Sequence, residues 1–319
     1  MPNRPSPFKV AAAQAAPVYL DKQATVEKSC EIIAEAARGG ARLVVFPEAF
    51  IPGYPDWVWV LPNSKKAQID PLFAELLDNS VVVPDDATRR LCQAAKKAKI
   101  HVAMGINERN AEASDASLYN TLLYIGSDGE ILGKHRKLIP TGGERLMWAQ
   151  GDGSTLEAYD TPVGKLGGLI CWENYMPLAR YAMYSWGTQV YVAPTWDSSE
   201  AWSMSLRHIA REGGMFVVGC CMALRMDDLP ERLGLRPLYP KGREWVNRGG
   251  SCIINPKGEF IAGPLHEKEE ILFADVDLAA IPAAKWLFDS AGHYARPDVF
   301  KVSINRESNA MLRTEDGSK

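Results

Sequence analysis

The sequence predicts an α/β layered fold, and three observations predict it. Short β-branched runs recur along the 319 residues, helical patterns separate several of them, and two glycine turns join neighbouring runs. Strands alternating with helices from end to end imply helices laid on sheets.

The runs are FKVAAAQA, RLVVFPEA, HVAMGINE, NTLLYIG, LGGLIC, QVYVAPTW, MFVVGCC, SCIINP and ILFADVD. Several are apolar at nearly every position, as expected of strands covered on both faces. The first helical pattern runs from Gln23 to Arg38, with Val26, Cys30, Ile33 and Ala37 apolar, and stops at Gly39 and Gly40, a glycine terminus. Thr88 to Ala98, Leu178 to Trp186 and Glu200 to Glu212 read the same way. Ser127 to Gly133 (SDGEILG) and Asn255 to Gly263 (NPKGEFIAG) each place glycine in a tight turn between apolar runs, which predicts two hairpins and hints at two sheets. Glu108 to Ser117 and Met226 to Arg248 are polar, Gly/Pro-punctuated stretches long enough to be functional or interface loops.

With 46% hydrophobic and 24% charged residues there is ample apolar material for one extended core, so residues 1–303 are expected to form one domain, with 304–319 a flexible C-terminal tail. A formal charge of -3 supplies no basic field for nucleic acid or an anionic membrane. No apolar run approaches the roughly 18 to 20 residues of a membrane helix, and the start, Met1 to Pro7, is polar and proline-rich, so the expected location is cytoplasmic. Six cysteines are scattered without a CxxC, and five of them (Cys30, Cys92, Cys220, Cys221 and Cys252) read as small buried hydrophobes.

Three segments put a reactive or charged residue at the end of an apolar run: LVVFPEAF with Glu48, GKHRKLIPTGGERLMW with Lys137 and Glu144, and KLGGLICWENYMP with Cys171. Strand ends are where open α/β sheets gather ligand groups. Alone, Glu48 also reads as a strand-end carboxylate, Lys137 as part of a solvated face and Cys171 as an inert buried thiol. Together they read otherwise, because GGLICWENYMP joins close-packing glycines to a strand and an abrupt polar turn, the logic of a nucleophile elbow.

FPEAFIPGYP, HRKLIPTGGERLMW and GGLICWENYMP, in that order, resemble the Glu, Lys and Cys motifs of the nitrilase family within the carbon–nitrogen hydrolase superfamily. The similarity extends through VAPTWDSSEAW and DSAGHYARPDVF and covers most of the chain. This resemblance implies a four-layer αββα sandwich, a catalytic triad of Glu48, Lys137 and Cys171, and Glu144 as a second carboxylate beside them. It also implies hydrolysis of organic nitriles to carboxylic acids and ammonia without a cofactor.

The chemistry accounts for those residue types. A nitrile carbon is a weak electrophile, so attack needs a thiolate, and Glu48 can take the thiol proton. The same carboxylate can protonate departing nitrogen and activate water, while Lys137 and the Trp172 amide stabilise developing charge. Glu144 would orient Lys137 or the substrate. A Cys-His enzyme or metal site fares worse, since His101, His135, His208, His266 and His293 stand in no ligand or triad spacing. Of these His135, two residues before Lys137, stands nearest the motifs, and it also reads as an ordinary basic residue of a strand and loop. No phosphate loop or dinucleotide fingerprint is present, and Gly164 to Gly168 lacks the required spacing.

Tyr54, Trp57, Trp59, Trp172, Trp196 and Trp202 lie near the motifs and suggest an aromatic pocket, with about half of them expected in ordinary core packing. Tyr54, Trp172, Thr195 and Trp196 are the expected substrate contacts. An amidase or carbamoylase would use the same Glu, Lys and Cys, and a non-catalytic scaffold could keep the fold. Cys171-Trp172-Glu173 looks more like nitrilases. A homodimer or larger homo-oligomer is expected, because symmetric dimers are the commonest soluble oligomers and the resemblance points the same way. Candidate contacts are DSAGHYARPDVF and the loops around Asn63 to Phe73 and Met226 to Tyr239, which mix apolar residues with both charge signs.

Overall fold

A computed structural model describes residues 6–310. In chain order the elements are β1 (Phe8–Gln14), α1 (Lys22–Arg38), β2 (Ala41–Val45), α2 (Lys66–Asp78), α3 (Asp86–Ala98), β3 (His101–Arg109), β4 (Leu118–Ile125) and β5 (Ile131–Arg136). There follow β6 (Tyr159–Thr161), β7 (Gly164–Gly168), α4 (Pro177–Ser185), β8 (Val190–Thr195), α5 (Glu200–Gly213), β9 (Phe216–Cys221) and β10 (Ala223–Arg225). The chain continues through β11 (Trp245–Ile254), β12 (Phe260–His266), β13 (Glu270–Val276) and α6 (Ala280–Lys285). All nine apolar runs fall on strands, and both predicted hairpins are present, between β4 and β5 and between β11 and β12.

Two mixed sheets result. The first has the order β13-β1-β2-β3-β4-β5, with β1, β2 and β3 parallel. The second has the order β10-β11-β9-β8-β7-β6, with β12 beside β11 and β7, β8 and β9 parallel. Side chains alternate along a strand, so each central strand serves two cores. Val10, Ala12, Leu43 and Val45 of the first sheet meet Leu166, Val190, Val192 and Val218 of the second. On the outer faces, Ala11, Ala13 and Val44 pack with Val26 and Ile33 of α1 and Leu91 and Ala95 of α3. Tyr191, Ala193 and Val217 pack with Met183 of α4 and Leu206 and Ile209 of α5. The layers therefore run helix, sheet, sheet, helix, as expected.

Helix starts follow local chemistry. Asp21, Asp85 and Ser199 accept backbone N–H groups at the first turns of α1, α3 and α5, and Thr88 returns the bond to Asp85. Where the sequence suggested a loop around Asn63 to Phe73, the chain forms α2 from Lys66, carrying Pro71 inside it. Its Leu72 and Leu76, four residues apart on one face, are buried. Met226 to Tyr239 is irregular as read, but it packs back on the chain: Leu229 and Leu235 are buried, and Arg232 pairs with Glu75 of α2 at 2.5 Å.

Of the five cysteines read as buried, Cys220, Cys221 and Cys252 are, whereas Cys30 and Cys92 are half-buried. Those two lie on α1 and α3, whose outer sides face solvent. Beyond α6 the chain has no regular strand or helix as far as residue 310, yet Arg306 pairs with Glu157 and the Asn309 amide donates to Asp152. The end of the expected tail, residues 311–319, lies outside the described residues. Among the described residues no helix is long and apolar enough to cross a membrane.

One buried side chain shapes the loop after β2. Asn107 of β3 donates its amide to the carbonyls of Gly53, Ile51 and Ala49 at 3.0, 3.2 and 3.4 Å, and its Oδ1 accepts the Trp148 indole N–H at 2.8 Å. Gly105 lets this loop lie against β3, since a Cβ there would sit 2.0 Å from the Pro47 carbonyl. Asn107→Ala would leave the Gly53 carbonyl and the Trp148 indole N–H buried without this partner, at about 1 to 3 kcal/mol for each such group, whereas the Ile51 and Ala49 carbonyls keep the backbone N–H groups of residues 107 and 53. We expect a loss of at least about 2 kcal/mol in the urea unfolding free energy. An unchanged urea midpoint would contradict this account of the loop.

Candidate active site

The site lies where parallel strands of both sheets end. Beyond β2 the buried run continues through Phe46 and Pro47 to Glu48, which is fully buried. Its Oε1 accepts from Lys137 Nζ at 2.8 Å and Asn120 Nδ2 at 2.7 Å, and its Oε2 accepts the Trp196 backbone N–H at 2.7 Å. Lys137 follows β5, its own N–H bonded to the Asn120 carbonyl, and its ammonium also donates to Glu144 Oε2 at 2.7 Å. Glu144 sits in a 3-10 turn, Gly142–Leu146, that it caps by accepting the Thr141 N–H, and Tyr54 donates its hydroxyl to Oε1 at 2.8 Å. One ammonium thus lies between two carboxylates, all three shut off from water.

Cys171 follows β7 and opens a 3-10 turn, Cys171–Tyr175, at φ +50°, a left-handed conformation that a residue with a side chain adopts at a cost. Gly168 makes room for the strand before it, because a Cβ there would lie 1.9 Å from the Val192 carbonyl. The turn is the elbow that the sequence suggested. Thr195, the last residue of β8, donates its hydroxyl to Cys171 Sγ at 3.2 Å.

Electrostatics follow from burial. Burial pushes the Glu48 carboxyl above its usual range against the opposing pull of the Lys137 ammonium. Burial alone would lower Lys137, but Glu48, the Cys171 thiol and Glu144 together hold it above its ordinary value. Burial and then Glu48 push the Cys171 thiol well up, and the attraction of Lys137 does not offset them. The Cys171 side chain therefore rests as a thiol near neutral pH.

The thiol opens into a cavity of about 850 Å³ walled by Tyr54, Trp59, Trp172 and Trp196, with Glu144, Arg145, Asp197, Arg243 and Asn247 among its polar lining. The Tyr54 and Trp196 rings stack 4.4 Å apart. Trp172, half exposed at the edge, donates its indole N–H to Asp197 at 2.7 Å. Trp57 and Trp202 belong instead to the two outer cores, so the six aromatics divide between wall and core.

The structure brings together all four expected catalytic residues, Glu48, Lys137, Glu144 and Cys171. Tyr54, Trp172 and Trp196 line the cavity, whereas Thr195 stands behind the thiol and forms no part of the wall. Sequence reasoning missed Asn120, which stands inside an apolar strand, and Glu173, two residues past Cys171. For Asn120 the available signal was an amide inside an otherwise apolar strand, whereas Glu173, in a polar turn, offered none. His135, on β5, is buried and bonded to Glu173 at 2.9 Å. Among the described residues no group of three or more His, Cys, Asp or Glu is placed to hold a metal ion.

With this geometry the comparisons agree. The carbon-nitrogen hydrolase family profile matches residues 9–285, and the chain belongs to that family. Its position within the family is the nitrilase branch. It is 45% identical to an aliphatic nitrilase of Sinorhizobium fredii, over 96% of this chain and 98% of that protein. It is 43% identical to nitrilase 2 of Arabidopsis thaliana, over 92% of this chain and 87% of that one. Among solved structures, a nitrilase-superfamily member of Saccharomyces cerevisiae superposes with a TM-score of 0.71 at 23% identity, covering 92% of this chain and 97% of that one. An amidase from Nesterenkonia sp. gives 0.65 at 21%, covering 88% and 94%, so the fold is shared well beyond close sequence similarity.

Because the Cys171 thiol is pushed up, its thiolate fraction is small near neutral pH and grows as pH rises. The rate of Cys171 carbamidomethylation by iodoacetamide, followed on its own peptide by mass spectrometry, should keep rising past about pH 8.5, where a free thiol begins to level off. A plateau below that pH would show the resting residue to be a thiolate.

Proposed function

We propose that this enzyme hydrolyses organic nitriles to carboxylic acids and ammonia, with Cys171 as the nucleophile, Glu48 as the acid and base, and Lys137 as the stabilising cation. The observation that carries the reading is the strained Cys171 turn facing an aromatic-walled cavity with Glu48 and Lys137 buried beside it. The full-length relatives named as nitrilases favour nitriles over amides.

As Sγ attacks the nitrile carbon, Glu48 takes the thiol proton and passes it to the nitrogen, giving a thioimidate. Water, deprotonated by Glu48, adds to that carbon. The carbon–nitrogen bond then breaks with proton delivery from Glu48, ammonia leaves, and a thioester remains. A second water, activated in the same way, releases the acid and restores the thiol. Throughout, the Lys137 ammonium faces negative charge as it develops, and Glu144 holds that ammonium in place through its Oε2. Tyr54 and Thr141 complete the bonding of Glu144, so the lysine has a fixed partner on the side away from Glu48.

We also infer self-association. Trp286, Leu287, Tyr294, Val299 and Phe300 are all exposed in the segment after β13, a larger concentration of apolar side chains than a monomer surface commonly carries. That segment includes DSAGHYARPDVF, and a second copy of the chain is the partner that the reading favours.

Ammonia release from a panel of nitriles and their amides tests the activity. Nitriles should be turned over and Cys171→Ala should lose turnover by several orders of magnitude while remaining folded. Intact-mass analysis with a slowly processed nitrile should show an adduct on the native protein and none on the variant. Turnover of amides alone would move the assignment to an amidase, and an active Cys171→Ala variant would end it. Light scattering at micromolar concentration should give at least twice the monomer mass, and a fully active monomer would refute the assembly reading alone.

A further inference from the structure

We propose that Glu173 is a positioning residue that ties the two sheets together at the reacting groups and keeps Lys137 and Cys171 in register. The inference rests on the nitrile-hydrolysis reading above. Glu173 is 1% exposed and receives donors from three separate places. Its Oε1 accepts the backbone N–H of Leu138 at 2.7 Å, the residue after Lys137. Its Oε2 accepts the backbone N–H of Ile170 at 2.9 Å, the residue before Cys171. Both oxygens lie 2.9 Å from His135 Nε2, two residues before Lys137 on β5.

One carboxylate therefore holds the chain on either side of Lys137 and the chain entering Cys171. The lysine segment continues the first sheet and the cysteine turn continues the second, so no single strand ladder fixes their spacing. The three donors, all aimed at an acceptor-only group, specify a carboxylate at this position. Burial works against its charge, but His135 and the two amides hold the Glu173 carboxyl below its usual range. His135 is itself placed by Nδ1, which lies 3.3 Å from the Thr155 carbonyl.

The turn needs such support because Cys171 is held at φ +50°, and a strained residue persists only where its surroundings over-determine it. Asn174 supplies the other half of the frame, donating to the Leu169 and Cys171 carbonyls at 2.9 and 2.8 Å while accepting the Tyr191 hydroxyl at 2.6 Å. Asn174 anchors the turn within the second sheet. Glu173 alone of the two reaches across to the lysine.

Glu173→Gln keeps the shape but turns one acceptor into a donor facing an N–H. The measurement is kcat per active site, with sites titrated by a slowly processed nitrile, alongside KM and the thermal midpoint. A displacement of about 1 Å between reacting groups can cost about 100-fold, so kcat per site should fall by about that factor with KM within about threefold of native. A merely structural residue would lower the thermal midpoint and the number of active sites but leave kcat per site unchanged, and that result would overturn the proposal. His135→Gln, which leaves both backbone bonds to Glu173 in place, should lose about tenfold in kcat per site. Should Glu173→Gln fail to fold, native kcat per site in both His135→Gln and Glu173→Asp would overturn the proposal in its place. Native protein that releases no ammonia from any nitrile would instead sink the functional reading. The clamp would then be judged by Cys171 carbamidomethylation, which Glu173→Gln should slow by about tenfold and which an unaltered rate would refute.

Discussion

The site depends on one ammonium shared by two carboxylates where water does not reach. Lys137 donates to Glu48 and Glu144, and each of those three side chains would be costly to bury alone. Every remaining bond in the cluster serves that arrangement. Asn120 and the Trp196 amide complete Glu48, and Tyr54 and the Thr141 amide complete Glu144. Two carboxylates and one ammonium leave the cluster formally one charge negative, so a thiolate beside it would add a second uncompensated anion. Burial first, and then this negative charge, is the physical reason that the thiol keeps its proton at rest.

Strain and room are arranged around that cluster. The Cys171 turn is held in a left-handed conformation, and Cys171 lines the cavity at the margin of the core between the sheets. A backbone of that kind is stable only if its neighbours leave it no alternative. Gly168 allows close strand packing before the turn, and Glu173, Asn174 and Thr195 bond to it from three directions. The aromatic wall does separate work. Tyr54 stacks on Trp196 while giving its hydroxyl to Glu144, so a residue that shapes the cavity also stiffens the charged cluster.

Much of this was legible in the sequence, for identifiable reasons. Parallel strands buried on both faces read as continuous apolar runs, so a polar residue at the exit of such a run, as with Glu48 and Cys171, stands out. The α2 helix was not legible, because Pro71 stands inside it and reads as a helix breaker. The half-burial of Cys30 and Cys92 was missed because a cysteine in an amphipathic helix can sit at the margin of the buried face. Thr195 and Trp196 were found as neighbours of the site, but the division of labour between them depends on which way successive side chains leave β8. Glu173 was hidden by its partners: Leu138 and His135 lie 35 and 38 residues away and Ile170 three residues before it, and no local pattern connects them.

The partition of the site between two sheets bears on how the chain acquires its activity. Glu48 and Lys137 come with the first sheet, and Cys171 and Thr195 with the second. Glu48 and Lys137 therefore stand beside Cys171 only where the two sheets pack together. Their strands also close in part through distant pairings, β1 with β13 being the longest in sequence. Contacts so far apart in sequence carry a large loop-closure cost before they contribute any stability. Recovery of turnover after dilution from denaturant therefore times the docking of one sheet on the other, whereas recovery of far-ultraviolet circular dichroism times the formation of the sheets and helices themselves.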